Sequence, residues 1–427
     1  MVHGARRLIC RCNAPILARE NKNPLGAVMR LKFLAFALAL LAPAAIAPAA
    51  VKPPTLFVDE RSTTVQAAEK LEGAAREDAL LLARIPSATW LAYGTPEIVE
   101  AQARDVTERA AAKGQIPVLV AYNIPYRDCA LYSAGGAADG VAYLAWVAGL
   151  ARGVGNRQAI IVLEPDGLGV IPCHRNLAGD LEGCRPEGQD EAAAARRYDQ
   201  LRGAVAILGA LPRARVYLDG TGSSWLAPGE IASRLIRADV DKVAGFFLNV
   251  SNFESDARVV PYAHWVSNCI ALVTQGGLDP RACPSQFSAE PFERPGNRRQ
   301  IDAAYDRLFA ERGLKRTPKS QKHALIDTSR NGLGSWKPPA GRYRDAEVWC
   351  NPPGRGLGRR PTLITREAYV DGFLWIKVPG ESDGECLRGT AGPIDPERGV
   401  KAPAAGQWFA SQARELIERA EPPLKRE

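Results

Sequence analysis

The fold of this chain is decided by the stretch Ile160-Ile161-Val162-Leu163-Glu164-Pro165-Asp166. Four aliphatic residues without a charge predict a buried strand, and Pro165 ends it because proline cannot donate to a strand ladder. Asp166 then lies just past the carboxyl end of the strand, where parallel α/β folds gather their functional groups. The stretch therefore predicts a parallel sheet that carries a carboxylate at its functional edge.

The same pattern, an apolar run followed by polar side chains, recurs along the chain. It predicts seven strands, at residues 87–90, 118–121, 160–163, 216–218, 245–249, 324–326 and 373–377. Helical patterns alternate with them, at residues 64–82, 139–152, 191–211, 227–238, 301–312 and 408–420. Polar motif residues follow almost every strand, whereas a doubly wound sheet would concentrate them at one switch point. We therefore expect an α/β fold of the parallel β/α barrel type.

Two segments interrupt this alternation. Residues 269–299 are bracketed by cysteine and rich in Pro and Gly, so we expect an excursion before the helix at Ile301. Residues 337–360 are rich in Pro, Gly and Arg and predict a long functional loop. No linker or second module is evident, so residues 50–427 are expected to form a single domain.

The composition is that of an ordinary globular protein, with 46% apolar and 24% charged residues. The formal net charge is +8, but seven basic residues and one acid fall within the first 50 residues and account for +6 of it. The remainder is close to neutral. The charge therefore gives no support to a nucleic-acid partner.

Residues 1–49 are predicted to be an N-terminal extension and signal peptide. Arg30 and Lys32 precede the apolar run 33–41, and small residues at 45–50 suit a cleavage zone; Met29 is a plausible start. The apolar run is short for a bilayer span, although a retained anchor is the alternative. We expect a secreted or periplasmic protein, without stable membrane association after cleavage, that acts as a monomer.

Export makes the cysteines interpretable, because disulfides form in oxidising compartments. Seven cysteines follow the signal segment, and the sequence has no CxxC pair of the kind that zinc sites use. We therefore expect disulfides and one unpaired thiol. The expected pairs are Cys269 with Cys283, Cys350 with Cys386, and Cys129 with either Cys184 or Cys173.

Three aspartates carry the chemical interpretation. Burial beyond the strand would raise the pKa of Asp166 and suit it as a general acid, although an Asp there could also cap the following helix. Asp128 is either the ion-pair partner of Arg127 or a charge that keeps the proton on Asp166. Asp383 lies in a turn where Lys377 could hold it ionised. An ionised and a protonated carboxyl facing each other is the arrangement of glycoside hydrolysis.

Four tryptophans fall at or near the ends of predicted strands or in motif loops. Trp90, Trp225 and Trp349 are near strand ends or in motif loops and are expected to stack on sugar rings, because their flat apolar faces match those of pyranoses. Trp375 lies inside an apolar run and is expected in the core.

Other chemistries are poorly supported. The sequence contains no Walker loop and no G-x-G-x-x-G after a strand, and four histidines are too few for a typical zinc or Ser-His-Asp site. We expect no cofactor and no metal; a hydrolase that uses the aspartates as metal ligands is the alternative.

Seven segments, in chain order, carry a resemblance to a known family. They are residues 120–129 (VAYNIPYRDC), 163–166 (LEPD), 217–219 (YLD), 248–252 (LNVSN), 326–332 (IDTSRNG), 349–351 (WCN) and 375–384 (WIKVPGESDG). Together they resemble glycoside hydrolase family 6, the cellobiohydrolases and endoglucanases acting on β-1,4-glucans. The resemblance implies a distorted, seven-stranded α/β barrel and inverting hydrolysis of a glucan or cello-oligosaccharide.

The resemblance also implies roles for individual residues. Asp166 resembles the general acid, Asp128 the neighbour that tunes it, Asp383 the base that acts through water, and Tyr122 the residue that crowds the distorted sugar. The implied substrate contacts are Trp90, Ser133, Asp219, Trp225, Asn249, Trp349, Lys377 and Glu381, with Ser133 on the loop that handles the water.

One departure and two short loops bear on the mode of action. Gly222 stands where the family usually has a histidine, so one sugar contact is missing. The segment after Cys129 shows no insertion and the stretch after Asp383 is short, which favours an open cleft and endo action. A cellobiohydrolase, or a glucan-binding protein without turnover, are the alternatives.

Overall fold

The computed structural model describes residues 54–425. The predicted N-terminal extension and signal peptide lie outside these residues. Among the described residues, none of the helices combines the length and the apolar composition needed to cross a membrane.

Seven parallel strands form one sheet, and their order in space follows their order in the chain. They are β2 Thr89–Leu91, β4 Val118–Ala121, β5 Ala159–Leu163, β6 Ala214–Asp219, β7 Gly245–Leu248, β8 His323–Asp327 and β9 Val370–Leu374. A separate parallel pair consists of β1 Thr55–Leu56 and β3 Gln115–Ile116. The expected seven-stranded parallel sheet is confirmed; β9 lies three residues earlier than predicted.

The sheet curls until its two edge strands meet. The Ala88 backbone N–H donates to the Trp375 carbonyl at 3.0 Å, and the Trp90 indole N–H donates to the Ile376 carbonyl at 2.8 Å. These bonds join the segments at β2 and β9 across the seam of the barrel. The carboxyl ends of the seven parallel strands therefore surround one mouth of the barrel.

The inner and outer faces of the strands are both buried, which explains the uninterrupted apolar runs. Alternate residues such as Val120, Val162 and Phe247 fill the barrel, whereas Leu119 and Ile161 pack against the surrounding helices. A rigid core thus lies directly below the polar mouth.

Nine α-helices lie among the described residues, and three differ from expectation. The segment predicted as one helix at 64–82 is two helices, because Glu72 is extended and Gly73 has a positive φ of 51°. The sequence predicts neither the helix at 96–112 nor that at 256–276, and the latter continues past Cys269 to Gly276, so the predicted excursion is shorter. The helices are α1 Thr63–Ala68, α2 Gly73–Ala83, α3 Pro96–Ala112, α4 Gly140–Val154, α5 Ala192–Gly209, α6 Pro228–Arg237, α7 Asp256–Gly276, α8 Pro295–Glu311 and α9 Ala410–Glu418.

Three disulfides tie the loops of the barrel. The structure pairs Cys129 with Cys184, Cys269 with Cys283, and Cys350 with Cys386. Cys173 is the buried free thiol, which decides between the two partners left open for Cys129. The first and third disulfides flank the segments that carry Asp128 and Asp383.

Candidate active site

Asp166 occupies the mouth of the barrel just beyond β5. Its backbone adopts a left-handed conformation with φ of 64°, which few residues adopt without support. The Tyr122 hydroxyl, from the segment after β4, lies 3.4 Å from Asp166 Oδ2. Burial, followed by the negative charges of Asp219 and Asp128, raises the pKa of Asp166 well above its ordinary value. The group can therefore keep a proton near neutral pH.

The turn after Asp166 is held by the Asp219 carboxylate at the end of β6. Asp219 Oδ2 accepts the backbone N–H groups of Leu168 at 3.1 Å and Gly169 at 2.9 Å, and its Oδ1 accepts that of Thr221 at 2.8 Å. Both oxygens of Asp219 are thus engaged by the backbone. Burial raises the pKa of Asp219 to about 6, against the effect of these N–H donors.

Two buried arginines hold the carbonyls of the same turn. Arg234 of α6 donates to the Leu168 carbonyl at 2.8 Å, and Arg197 of α5 donates to the Gly167 carbonyl at 3.0 Å. Glu230 pairs with Arg234 Nε at 2.8 Å. No cation donates to the Asp166 carboxyl among the described residues, so the arginines fix its backbone without neutralising its side chain.

Asp128 lies in the loop after β4, where Ser133 N–H donates to its Oδ2 at 2.8 Å. Burial raises the pKa of Asp128, while the Ser133 N–H and the charge of Arg127 act in the opposite direction. The alternative of an Arg127–Asp128 ion pair is wrong. The Arg127 guanidinium donates to the carbonyls of Ala92 at 2.7 Å, Tyr122 at 2.6 Å and Ser133 at 2.8 Å instead.

Asp383, in the segment after β9, has a contrasting environment. Its Oδ2 accepts the Arg330 guanidinium at 2.8 Å and the Asn351 backbone N–H at 2.9 Å, and its Oδ1 lies 3.5 Å from the Lys377 ammonium. Burial alone would raise the pKa of Asp383, but Arg330 and Lys377 outweigh it and the pKa is lowered. This carboxylate is therefore ionised and can accept a proton.

Arg330 and Asn351 support Asp383, and the sequence predicts no role for either residue. Arg330 is fully buried, its second amino group donates to the Ser251 carbonyl at 2.6 Å, and its plane lies over Phe253. The Asn351 side-chain oxygen accepts the Asp383 backbone N–H at 2.9 Å, and the Asn351 backbone N–H donates to the Asp383 carboxylate. Both residues lie inside motifs quoted above. The position of Arg330 just after β8 could have indicated that it contributes to the site.

Two other predicted site residues are tied to the protein. The Lys377 ammonium donates to the Ser382 carbonyl at 3.0 Å. The Glu381 carboxylate accepts the Thr63 hydroxyl, and burial raises its pKa. Lys377 therefore has two roles: it supports the turn that carries Asp383, and its positive charge favours the ionised form of that carboxylate.

Asn249 does not face the mouth of the barrel. Its side chain is fully buried, its amide donates to the carbonyls of Asp327 at 2.9 Å and Glu254 at 3.2 Å, and its oxygen accepts the Glu254 N–H. In this structure the amide ties the ends of β7 and β8, and no polar group is left for a substrate.

The tryptophans differ in exposure. Trp90 packs edge-on against Tyr122 at 5.3 Å, and Trp349 lies 5.8 Å from Tyr132. Trp225 is 40% exposed and covers Gly169, where a Cβ would lie 2.4 Å from its ring. Trp375 is buried in the core, as expected.

Gly222 leaves open space in the segment after β6. A Cβ built on it would meet no atom within 4 Å. Nothing fills the position of a larger side chain.

Most of the chain matches a known protein family. The family model described as "Glycosyl hydrolases family 6" matches residues 52–420. Endoglucanase 1 of Streptomyces sp. (strain KSM-9) is 33% identical over 316 residues, covering 73% of this chain and 67% of the relative. Endoglucanase 1 of Streptomyces halstedii is 32% identical over 394 residues, covering 90% of this chain and 98% of the relative.

Other relatives are longer. Endoglucanase A of Thermobispora bispora is 33% identical, and this chain spans 54% of its length. Among solved structures, the endoglucanase Cel6 from Mycobacterium tuberculosis in complex with methyl-cellobiosyl-4-deoxy-4-thio-β-D-cellobioside is 30% identical, with a TM-score of 0.62 over 86% of this chain and 98% of that one.

Proposed function

Because the chain belongs to glycosyl hydrolase family 6, we propose that it cleaves internal β-1,4-glucosidic bonds of cellulose-like glucans with inversion of configuration. Relatives named endoglucanases, at 32–33% identity, support internal cleavage. One observation carries the proposal: the mouth of the barrel holds a carboxyl of raised pKa, Asp166, and a carboxylate of lowered pKa, Asp383.

The proposed mechanism needs one proton donor and one proton acceptor. Asp166 protonates the glycosidic oxygen as the bond to the leaving sugar breaks. Asp383 accepts a proton from the water that attacks the opposite face of the sugar, directly or through a second water. Asp128 keeps the proton on Asp166 before the substrate binds and stabilises the positive charge that develops on the sugar. Tyr122 lies against the ring at the cleavage point.

The sugar chain is proposed to lie along the mouth of the barrel. Trp90, Trp225 and Trp349 supply stacking surfaces. Ser133, Lys377 and Glu381 supply hydrogen bonds. Asp219 and Asn249 are proposed to be positioning residues and not sugar contacts. Their side-chain polar atoms are already hydrogen-bonded to the backbone.

We propose that residues 50–427 act as one catalytic domain and that residues 1–49 direct export. The three disulfides support an oxidising compartment. The site is built from segments of one chain, which supports a monomer.

The test uses the purified protein on carboxymethylcellulose. Viscosity is followed against new reducing ends, and NMR records the anomer first released from a cello-oligosaccharide. We expect a steep fall in viscosity per reducing end and the α-anomer as first product. Reducing ends without loss of viscosity would indicate cellobiohydrolase action; no release of ends on either substrate would indicate a binding protein.

A further inference from the structure

The loop that carries Asp128 is anchored at its base by the Cys129–Cys184 disulfide and by the hydrogen bonds of Arg127. Residues 127–135 form a tight loop in which Arg127 and Gly135 pair as an isolated antiparallel bridge. On the side facing Pro186 the loop borders a cavity of about 260 Å³, lined also by Tyr126 and Cys129. Because the protein does not pack against that side, the tip of the loop depends on contacts on the opposite side.

Those contacts are made by Tyr132 at the tip of the loop. Its hydroxyl donates to Glu347 Oε1 at 2.8 Å and accepts the Leu387 backbone N–H at 3.0 Å. Its ring lies 5.8 Å from that of Trp349. Tyr132 also packs on Gly384, where a Cβ would lie 2.4 Å from the Tyr132 Cβ.

The residues that receive Tyr132 belong to the Asp383 side of the mouth. Gly384 follows Asp383 directly, and the Cys350–Cys386 disulfide holds Glu347 and Leu387 in the same neighbourhood. On the loop itself, Ser133 follows Tyr132 and donates its N–H to Asp128. A single side chain thus links the segment of Asp128 to the segment of Asp383.

We propose that Tyr132 is a positioning residue of the catalytic reaction, which holds the Asp128 carboxylate and the Ser133 N–H in register with Asp383. The inference rests on the proposed function and deepens it, since it assigns a role to a residue outside the acid–base pair. Without the phenol, the loop tip loses both hydrogen bonds to the opposite rim. Arg127 still holds the Ser133 carbonyl, but the Ser133 N–H is held less firmly on Asp128, and the charge beside Asp166 shifts.

The first experiment compares Tyr132→Phe with the parent on a soluble cello-oligosaccharide. The change removes the hydroxyl and keeps the ring. Because small displacements of catalytic groups cost rate more than binding, we expect kcat to fall about tenfold with KM changed less than about twofold. Tyr305→Phe is the matched control. Tyr305 lies on α8, and its buried hydroxyl donates to the Pro284 carbonyl at 2.9 Å. Loss of this hydroxyl should leave kcat unchanged.

A second measurement does not depend on turnover. Hydrogen exchange should show faster exchange of the Ser133 and Leu387 amides in Tyr132→Phe, with amides of the barrel strands unchanged. Glu347→Gln weakens the same contact from the other side. If the two residues act through one contact, the double variant falls no further than the lower single variant.

The outcomes separate this inference from the proposed function. An inactive parent overturns the proposed function. An active parent, with Tyr132→Phe equal to it in kcat and in Ser133 exchange, overturns the positioning role. Equal slowing by the Tyr305→Phe control also contradicts it, because loss of any buried phenol would then suffice. A selective loss of kcat with faster Ser133 exchange supports it.

Discussion

The Asp166 and Asp383 sides of the barrel mouth hold the same chemical group in opposite ways. At Asp166 the buried arginines Arg197 and Arg234 bind backbone carbonyls of the following turn, and the carboxyl itself has acidic neighbours. At Asp383 the buried Arg330 binds the carboxylate directly, with Lys377 beside it. Both sides use buried cations for rigidity, but only the Asp383 side places one directly on the proposed catalytic carboxylate.

The difference shows that the target of a buried cation decides the protonation state of the nearby acid. A guanidinium on a carbonyl satisfies its own hydrogen bonds and leaves the carboxyl to the effect of burial. A guanidinium on a carboxylate favours the ionised form. The two sides can therefore be tested by changes that remove, add or exchange these charges.

The largest expected effect comes from removing the proton donor. In Asp166→Asn the side chain keeps its size but cannot donate an acidic proton, so kcat should fall by about 10²–10⁴-fold while the substrate still binds. Asp139→Asn is the matched control, because Asp139 caps α4 through the Ala142 N–H at 2.8 Å and asparagine caps helices as well. Steady-state kinetics and binding titration measure both. Retention of a tenth of the activity would contradict the proposed acid.

The next effect concerns the cation at Asp383. Arg330→Met leaves a buried carboxylate with Lys377 as its remaining cation, so its pKa should rise and the acid limb of the kcat/KM profile should move up by about one pH unit. Loss of one partner of a buried pair should also lower the free energy of unfolding by about 3 kcal/mol. Arg298→Met, which breaks an exposed pair with Asp302, should cost about 0.5 kcal/mol or less. An unmoved acid limb would show that Arg330 does not hold the base ionised.

A smaller change should move the opposite limb. Asp128→Asn removes a negative charge that raises the pKa of Asp166, and the amide oxygen can still accept the Ser133 N–H. Asp166 then loses its proton at lower pH. The basic limb of the pH profile of kcat should therefore move to lower pH by about one unit. The pH dependence of kcat measures this. A basic limb that stays in place or moves to higher pH would contradict the coupling.

The smallest effect is one of stability and tests the support behind Asp166. Burial would raise the pKa of Glu230, but His174, the Leu177 N–H and Arg234 lower it to about 2. A lowered folded-state pKa stabilises the protein above the ordinary value near 4.5, and this stability is lost as pH falls from 4.5 towards 2. We expect a loss of about 1–2 kcal/mol between pH 5 and pH 3 that is absent in Glu230→Gln. Urea unfolding at the two pH values compares the proteins, and equal losses in both would exclude Glu230.

The sheet was predictable because strands buried on both faces give uninterrupted apolar runs, as at 160–163 and 118–121. No helix is predicted at α7, and the Pro- and Gly-rich residues after Cys269 indicate a loop there, although the apolar spacing continues through Leu272. The break at Glu72 gave no comparable signal. The predicted helix boundaries are thus wrong where a single residue, and not a periodic pattern, decides the backbone conformation.

The site was predictable only in part. Residues that follow a strand directly, such as Asp166, stood out because their position has a meaning in parallel folds. Arg197 and Arg234 sit on helices and look like any surface arginine until the fold brings them under the turn of Asp166. Asn249 follows β7 as a ligand group would, but the same position also suits a residue that ties two strand ends.

The barrel is wound in chain order, and this has a consequence for its biosynthesis. The strands β2 to β8 can pair as successive neighbours while the chain is still being made. The bond from Ala88 to Trp375 joins the first strand to the last, and Asp383 comes after that seam. A nascent chain therefore contains the residues around Asp166 before β7 is made and acquires Asp383 only after β9, so chains truncated before β9 lack one half of the proposed acid–base pair.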